Sequence, residues 1–297
     1  MRNISNFTSN RVARFGSGGT ILRARGVEPL TDDALQTAAP SVFADGKHTS
    51  RSDRYTYIPT IEVLNGLRKE GFEAFEVRQG GSRDNEKRGF TKHMLRLRQR
   101  GDREIGDSVR ELILLNSHDG TSSYQLMSGL FRMVCSNGLI VADGDATMQR
   151  VAHKGDIINN VIEGAFSIID DGAKVSAALE GMKSTQLSAE EQESFASAAL
   201  ALRFSEKDKA GNIKPAPIEP SRINYIRREA DKGNDLWKTF NRVQENLVNG
   251  GSGYYARTAS GARQYRHTRP VNSIDGNVTL NRALWILAEK MKELKTA

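Results

Sequence analysis

A single cysteine, Cys135, in 297 residues leaves no partner for an internal disulfide and fits a reducing compartment. It sits in the apolar run FRMVC, where a thiol behaves as an inert small hydrophobe. No apolar run approaches the ~18 residues that would mark a membrane span. The opening MRNISNFTSNRVARF has no apolar core of a secretory signal, so a cytoplasmic protein without membrane attachment is expected.

Motifs for chemistry are equally scarce. The five histidines, His48, His93, His118, His153 and His267, are scattered, and none pairs at helix-face spacing with another. With one cysteine there is no zinc pattern either. Gly16-Ser17-Gly18-Gly19 has no preceding apolar strand and no Gly-Lys-Ser/Thr ending, which argues against a phosphate loop. Ser117-His118-Asp119 carries the letters of a triad, but neighbours along a strand end point in different directions, and Asp119-Gly120 reads as a turn. Glu293-Leu294-Lys295 belongs to the solvated face of a terminal helix. The expectation is a protein that is not an enzyme and needs no cofactor or metal.

What the chain has is positive charge. Its formal charge is +7 and its pI about 9.5, a balance that suits nucleic acid or another acidic partner. From Arg78 to Arg103 nine cations face three acids, namely Arg78, Arg83, Lys87, Arg88, Lys92, Arg96, Arg98, Arg100 and Arg103 against Asp84, Glu86 and Asp102. In TKHMLRLRQR the cations alternate with His93, Leu95 and Leu97. A period of two predicts a strand whose odd positions face a core and whose even positions, Lys92, Arg96, Arg98 and Arg100, face water or a polyanion. A second stretch, Asn249–Arg269, contains no acid. It sets Arg257, Arg263, Arg266 and Arg269 among Tyr254, Tyr255 and Tyr265 on a Gly/Ser-rich chain, the composition of a supple loop that binds single strands by phosphate contact and base stacking. Trp237 and Trp285 fall on helical stripes and read as core.

The organisation reads as α+β. Residues 1–28 are expected to form a flexible basic arm, 29–205 an α+β core domain, 206–220 a Pro-rich linker and 221–297 a helical region carrying the 249–269 loop. Thr31 and Thr60 are read as helix caps, and Ser188 with Glu191 as a capping box. Strands are expected at Phe72–Arg78, Thr91–Arg98, Glu111–Asn116 and Ser122–Met127, a three- to four-stranded antiparallel sheet with helices on one face. Leu130–Cys135 reads as a short helix, Asp156 to about Met182 as one long helix, and helical stripes follow from Leu236 and from Leu280.

Several segments are distinctive: PSVFADGKHTSRSDRYTYIPT, TKHMLRLR, LLNSHDGTSSYQL, GLFRMVCSNGLIV, HKGD, NDLW with QENL, and IDGNVTLNRALW. In these the chain resembles the YfjQ/YafZ-like proteins of domain of unknown function family 932, from about Pro40 to about Leu287. The resemblance implies a protein of bacterial phages, prophages or plasmids and carries over no site residues. The order helix, antiparallel meander, helix is also similar to the core of Rad52-like and Redβ-like single-strand annealing proteins, which implies a ring- or filament-forming oligomer. Two functions are therefore expected as alternatives. One is single-stranded DNA (or RNA) binding, with strand annealing in recombination, by a homo-oligomer using the two basic stretches. The other is an interaction protein that inhibits a host defence or DNA-repair complex by docking its basic ribbon on an acidic surface.

Overall fold

The computed structural model describes residues 12–296 apart from 17, 25–26, 50–56, 102–106, 134–136, 142–147, 152–154, 171, 207–209 and 259. The chain divides into two compact units, Met1–Leu130 with Gly144–Asp171, and Phe131–Asp143 with Gly172–Ala297. The segment expected as a linker, 206–220, thus falls within the span of the second unit, as do residues 172–205.

The first unit is built on an antiparallel meander. Its strands are β1 (Ala13–Phe15), β2 (Gly19–Arg23), β3 (Phe72–Gln79), β4 (His93–Gln99), β5 (Ser108–Asn116), β6 (Tyr124–Arg132) and β8 (Met148–Val151), with β7 (Asn137–Ile140) lying between the last two in sequence. The order is β1-β2-β3-β4-β5-β6, and both β7 and β8 follow on from β6, giving eight strands. Three or four was an undercount. Residues 13–15 and 19–23, expected in a flexible arm, form strands instead: β1 pairs with β2, and β2 with β3 through Ile21↔Arg78 and Leu22↔Val77. Leu130, Phe131 and Arg132, read as the start of a helix, end β6; Cys135 lies outside the described residues.

Helices α1 (Asp32–Ala38), α2 (Thr60–Lys69) and α3 (Ile157–Asp170) cover one face of this sheet. Leu35, Val63, Leu64, Leu67, Val161 and Ala165 meet Val77, Leu95, Leu97, Leu112 and Leu114 in the core. Thr31 caps α1, accepting a hydrogen bond from the Ala34 amide. A bulge at Phe75 sets the phase of β3: Ala74↔Leu97 gives way to Glu76↔Arg96, and Val77↔Leu95 follows. Ala74 and Val77, three apart, therefore both reach the helix-covered face, while Glu76 and Arg78 take the other.

The second unit is mainly helical, with α4 (Gly172–Ser184), α5 (Ala189–Arg203), the short α6 (Pro220–Ile223), α7 (Leu236–Asn249) and α8 (Ile274–Thr296). The helix expected from Asp156 is described as α3 up to Asp170 and as α4 from Gly172, and Asp171 between them lies outside the described residues. The Ser188/Glu191 capping box opens α5 in both of its hydrogen bonds. Trp237 and Trp285 are core: the Phe240 ring stacks on Trp237 at 5.8 Å and meets Trp285 edge-on at 5.9 Å. Between α7 and α8 the chain leaves as an antiparallel hairpin, β9 (Gly253–Arg257) and β10 (Arg263–His267). No helix among the described residues is long and apolar enough to cross a membrane.

Candidate nucleic-acid interface

Both faces of β4 are buried, and this decides the fate of the basic ribbon. His93, Leu95 and Leu97 point into the core as their odd numbers require. The even positions inside β4 do not face water as expected. Met94 and Arg96 have no exposure at all, and Arg96 Nε donates to Glu111 Oε2 at 2.5 Å. Arg98 Nε donates to Glu111 Oε1 at 3.0 Å, and its guanidinium lies 4.3 Å from the Phe75 ring centre. On the next strand buried Glu76 pairs with Arg78 and Arg23, at 2.5 Å each. Burial works against the Glu76 carboxylate, but the charges of Arg78, Arg23 and Arg96 outweigh it and hold its pKa well below the usual range. Coulombic attraction to Glu76 in turn raises the Arg23 pKa.

The phosphate-binding role expected of Arg96 and Arg98 is corrected by this geometry. Their charge is matched by Glu111, because this stretch of the sheet's second face is buried, an ionic layer set beside Met94, Ile113 and Leu115, and not a solvent face. The compensating acids were visible in the sequence. Glu76 lies just before the Arg78–Arg103 window and Glu111 just after it, so a count within the window misses both. Arg100 is exposed at its side chain and pairs with Glu73 at 2.5 Å. Arg83 and Arg88 are exposed and Lys87 and Lys92 half-buried, on the loop between β3 and β4 and at the entry to β4. Lys87 comes within 4.0 Å of Asp84, and Arg103 lies outside the described residues.

At one end of the core the sheet carries a polar row instead of an apolar one: Gln79, His93 and Asn116 stand side by side on β3, β4 and β5. Thr60, expected as a cap, is the first residue of α2 after Pro59, and its hydroxyl turns to this row. It lies 2.8 Å from His93 Nε2, 3.2 Å from His118 Nε2 and accepts from Asn116 Nδ2 at 3.1 Å. The network assigns the tautomer of His93. Nδ1 faces the Thr91 carbonyl at 3.2 Å and the Ser41 hydroxyl at 2.9 Å, and a carbonyl only accepts, so Nδ1 carries the hydrogen. Ser41 passes its own hydrogen to Gln79 Oε1, and Thr60 donates to His93 Nε2. Burial pushes the His93 pKa down to about 4, so the ring is neutral at pH 7. Sequence reading dismissed Ser117-His118-Asp119 as a triad, and Asp119 indeed closes a turn on Thr121. It missed that His118 and His93 meet at Thr60, from three separate segments.

The hairpin is the contrasting case. Expected as a loop, Asn249–Arg269 contains ten residues in register, with Tyr265↔Tyr255, Arg263↔Arg257 and Arg266↔Tyr254. Directly opposed residues share a face. One face therefore presents Tyr255, Arg257, Arg263, Tyr265 and His267, and the other Tyr254, Ala256, Gln264 and Arg266. Every residue of β10 is exposed, and Tyr255 and Tyr265 keep 59% and 56% of their surface in solvent. Their rings are 5.1 Å apart, and the Arg263 guanidinium lies 4.0 Å from the Tyr255 centre. Tyr254, grouped with the other two by composition, is half-buried on the opposite side. At the root Gly250 adopts φ 63°, ψ −147°, and Gly251 donates to the Thr268 carbonyl at 2.9 Å.

Among the described residues no cluster of three or more His, Cys, Asp or Glu could hold a metal ion. No solved structure matches the chain. It is 47% identical over 279 residues to UPF0380 protein YafZ of Escherichia coli (strain K12), covering 94% of this chain and 96% of the relative. UPF0380 protein YfjQ of the same strain is similar to the same extent. The model of the domain of unknown function DUF932 matches residues 47–285, and with relatives this similar over nearly their whole length the chain belongs to the DUF932 family.

Proposed function

We propose that this protein binds single-stranded nucleic acid, and that the β9–β10 hairpin is where it does so. One observation carries the reading: Arg257 and Arg263 stand directly opposite each other, beside the Tyr255–Tyr265 pair, on an exposed face of an acid-free segment. Like charges opposed across two strands repel, and a phosphate between them removes that cost. Two exposed aromatic rings next to the same spot suit unpaired bases, which stack without regard to sequence. Stacking leaves the pairing edges of the bases outward, which is the condition for annealing a second strand. Self-association would multiply so small a site, as an annealing role requires.

The test is fluorescence anisotropy with ssDNA, duplex DNA and ssRNA of equal length across a salt series. The two arginines of that face predict a slope of about −1.4 in log K against log salt, or roughly a sevenfold loss over a fourfold rise. Tyr255→Ala and Tyr265→Ala should each weaken ssDNA binding about tenfold or more, and Tyr254→Ala hardly at all. No binding at low salt, or tyrosine variants that bind as the parent does, would remove the proposal.

A further inference from the structure

We infer that Arg263 guards the Tyr255 stacking platform, so that the hairpin admits a base only together with its phosphate. The inference rests on the hairpin being the nucleic-acid site. Arg263 sits diagonally across the ladder from Tyr255, within reach of a long side chain, and its guanidinium covers the ring at 4.0 Å from the centroid. Tyr265 closes on the same ring from another side, tilted by 59° at 5.1 Å. Segment Asn249–Arg269 offers no carboxylate to hold the guanidinium elsewhere, whereas Arg266 on the opposite face rests on Gln264 Oε1 at 2.8 Å and 3.1 Å. The ring face that a base needs is therefore already taken by a cation.

A nucleotide offers Arg263 a better partner. A phosphate placed between Arg257 and Arg263 draws the guanidinium off the ring by a charge-assisted bond, stronger than an exposed cation–π contact. The ring is then free for the attached base. A bare nucleoside lacks the anion, must displace the guanidinium unaided, and is refused. The selected ligand class is thus an oligonucleotide with unpaired bases, read by joint possession of phosphate and base face.

This assigns Arg263 two opposed roles that salt separates. With a ten-residue oligo-dT as probe, Arg263→Ala should flatten the slope of log K against log salt by about 0.7. It should also uncover Tyr255, tightening the salt-independent part of binding about two- to fivefold. The lines for parent and variant should therefore cross: weaker binding by the variant at low salt, tighter at high salt. Arg257→Ala, which covers no ring, should lose slope with no gain at high salt. In a Tyr255→Ala background the gain from Arg263→Ala should vanish. If Arg263→Ala runs parallel to Arg257→Ala at every salt while Tyr255→Ala and Tyr265→Ala weaken binding, the guarding role is overturned and the hairpin site stands. If none of these variants alters binding, the hairpin reading falls, and this inference with it. All four side chains are exposed, so melting temperatures should match the parent and keep the comparison clean.

Discussion

Thr60 Oγ1 lies 2.8 Å from His93 Nε2, and neither residue has any surface in solvent. A hydroxyl at the start of a helix ordinarily serves that helix. Here Pro59 takes the cap position and the hydroxyl joins α2 to β4 and β5 through His93 and Asn116. Thr60→Val keeps the shape and removes the donor and acceptor together. It should cost about 1–3 kcal/mol by leaving buried His93 Nε2 and Asn116 Nδ2 unmatched. Thr31→Ala, at a true cap, should cost about 0.5–2 kcal/mol. Urea denaturation of both variants checks the pair, and a neutral Thr60→Val would show that the network contributes nothing.

His93 should make the fold acid-sensitive. Its folded-state pKa, about 4, lies below the ordinary value of 6.5, so the unfolded chain takes up the proton first. The stability tied to the neutral ring is complete above pH 6.5 and is lost as pH falls toward 4, to a total of about 3 kcal/mol. Thermal melts from pH 7.5 to 4 should show this slope, and His93→Gln should flatten it. An equal slope in the variant would place the acid sensitivity elsewhere.

Arg96→Ala should unfold or severely destabilise the protein. It leaves Glu111 inside the sheet's ionic layer with Arg98 as its remaining ion-pair partner, and breaking a buried pair typically costs about 3–5 kcal/mol. Arg100→Ala, whose side chain is 73% exposed, should stay within about 1 kcal/mol of the parent. Guanidinium denaturation distinguishes the two. Equal, small effects would mean that the ionic layer relaxes without loss.

Gly250→Ala should disturb the hairpin's root without unfolding the second unit. A Cβ there would come within 2.6 Å of the Thr268 carbonyl oxygen, at a backbone conformation that side chains rarely adopt. A cost of about 1–3 kcal/mol is expected. Amide exchange should show protection lost at Gly251 and Thr268, while α7 and α8 keep theirs. Unchanged protection at those two amides would contradict it.

Local signals were the most legible part of the sequence. Thr31 and the Ser188/Glu191 box act within one turn of chain, and four strands were placed because apolar alternation records one buried face directly. The ionic face was not legible, because Arg96, Glu76 and Glu111 come from three strands and their pairing depends on register. Thr60 was misread for the same reason: a tertiary partner, His93, competes for the hydroxyl that capping rules assign locally. The hairpin was hidden by its glycines and serines. Between GYYAR and RQYRH no Asn-Gly or Asp-Gly turn announces the reversal, so the matching pairs Arg257 with Arg263 and Tyr255 with Tyr265 went unread.

The extra residue at Phe75 has a bearing on how this chain can change length. Loops tolerate insertion and deletion, but β3 is a strand whose two halves are held in different phases by one residue. Deleting Phe75 would close the bulge into a regular ladder, since Ala74↔Leu97, Glu76↔Arg96 and Val77↔Leu95 then pair consecutively and every side chain keeps its face. An insertion has no such slack, because a second extra residue in β3 moves one half of the strand to the opposite face. Loss of one residue at Phe75 should therefore leave the fold standing, at the cost of the ring beneath Arg98, while gain of one residue in the same strand should not.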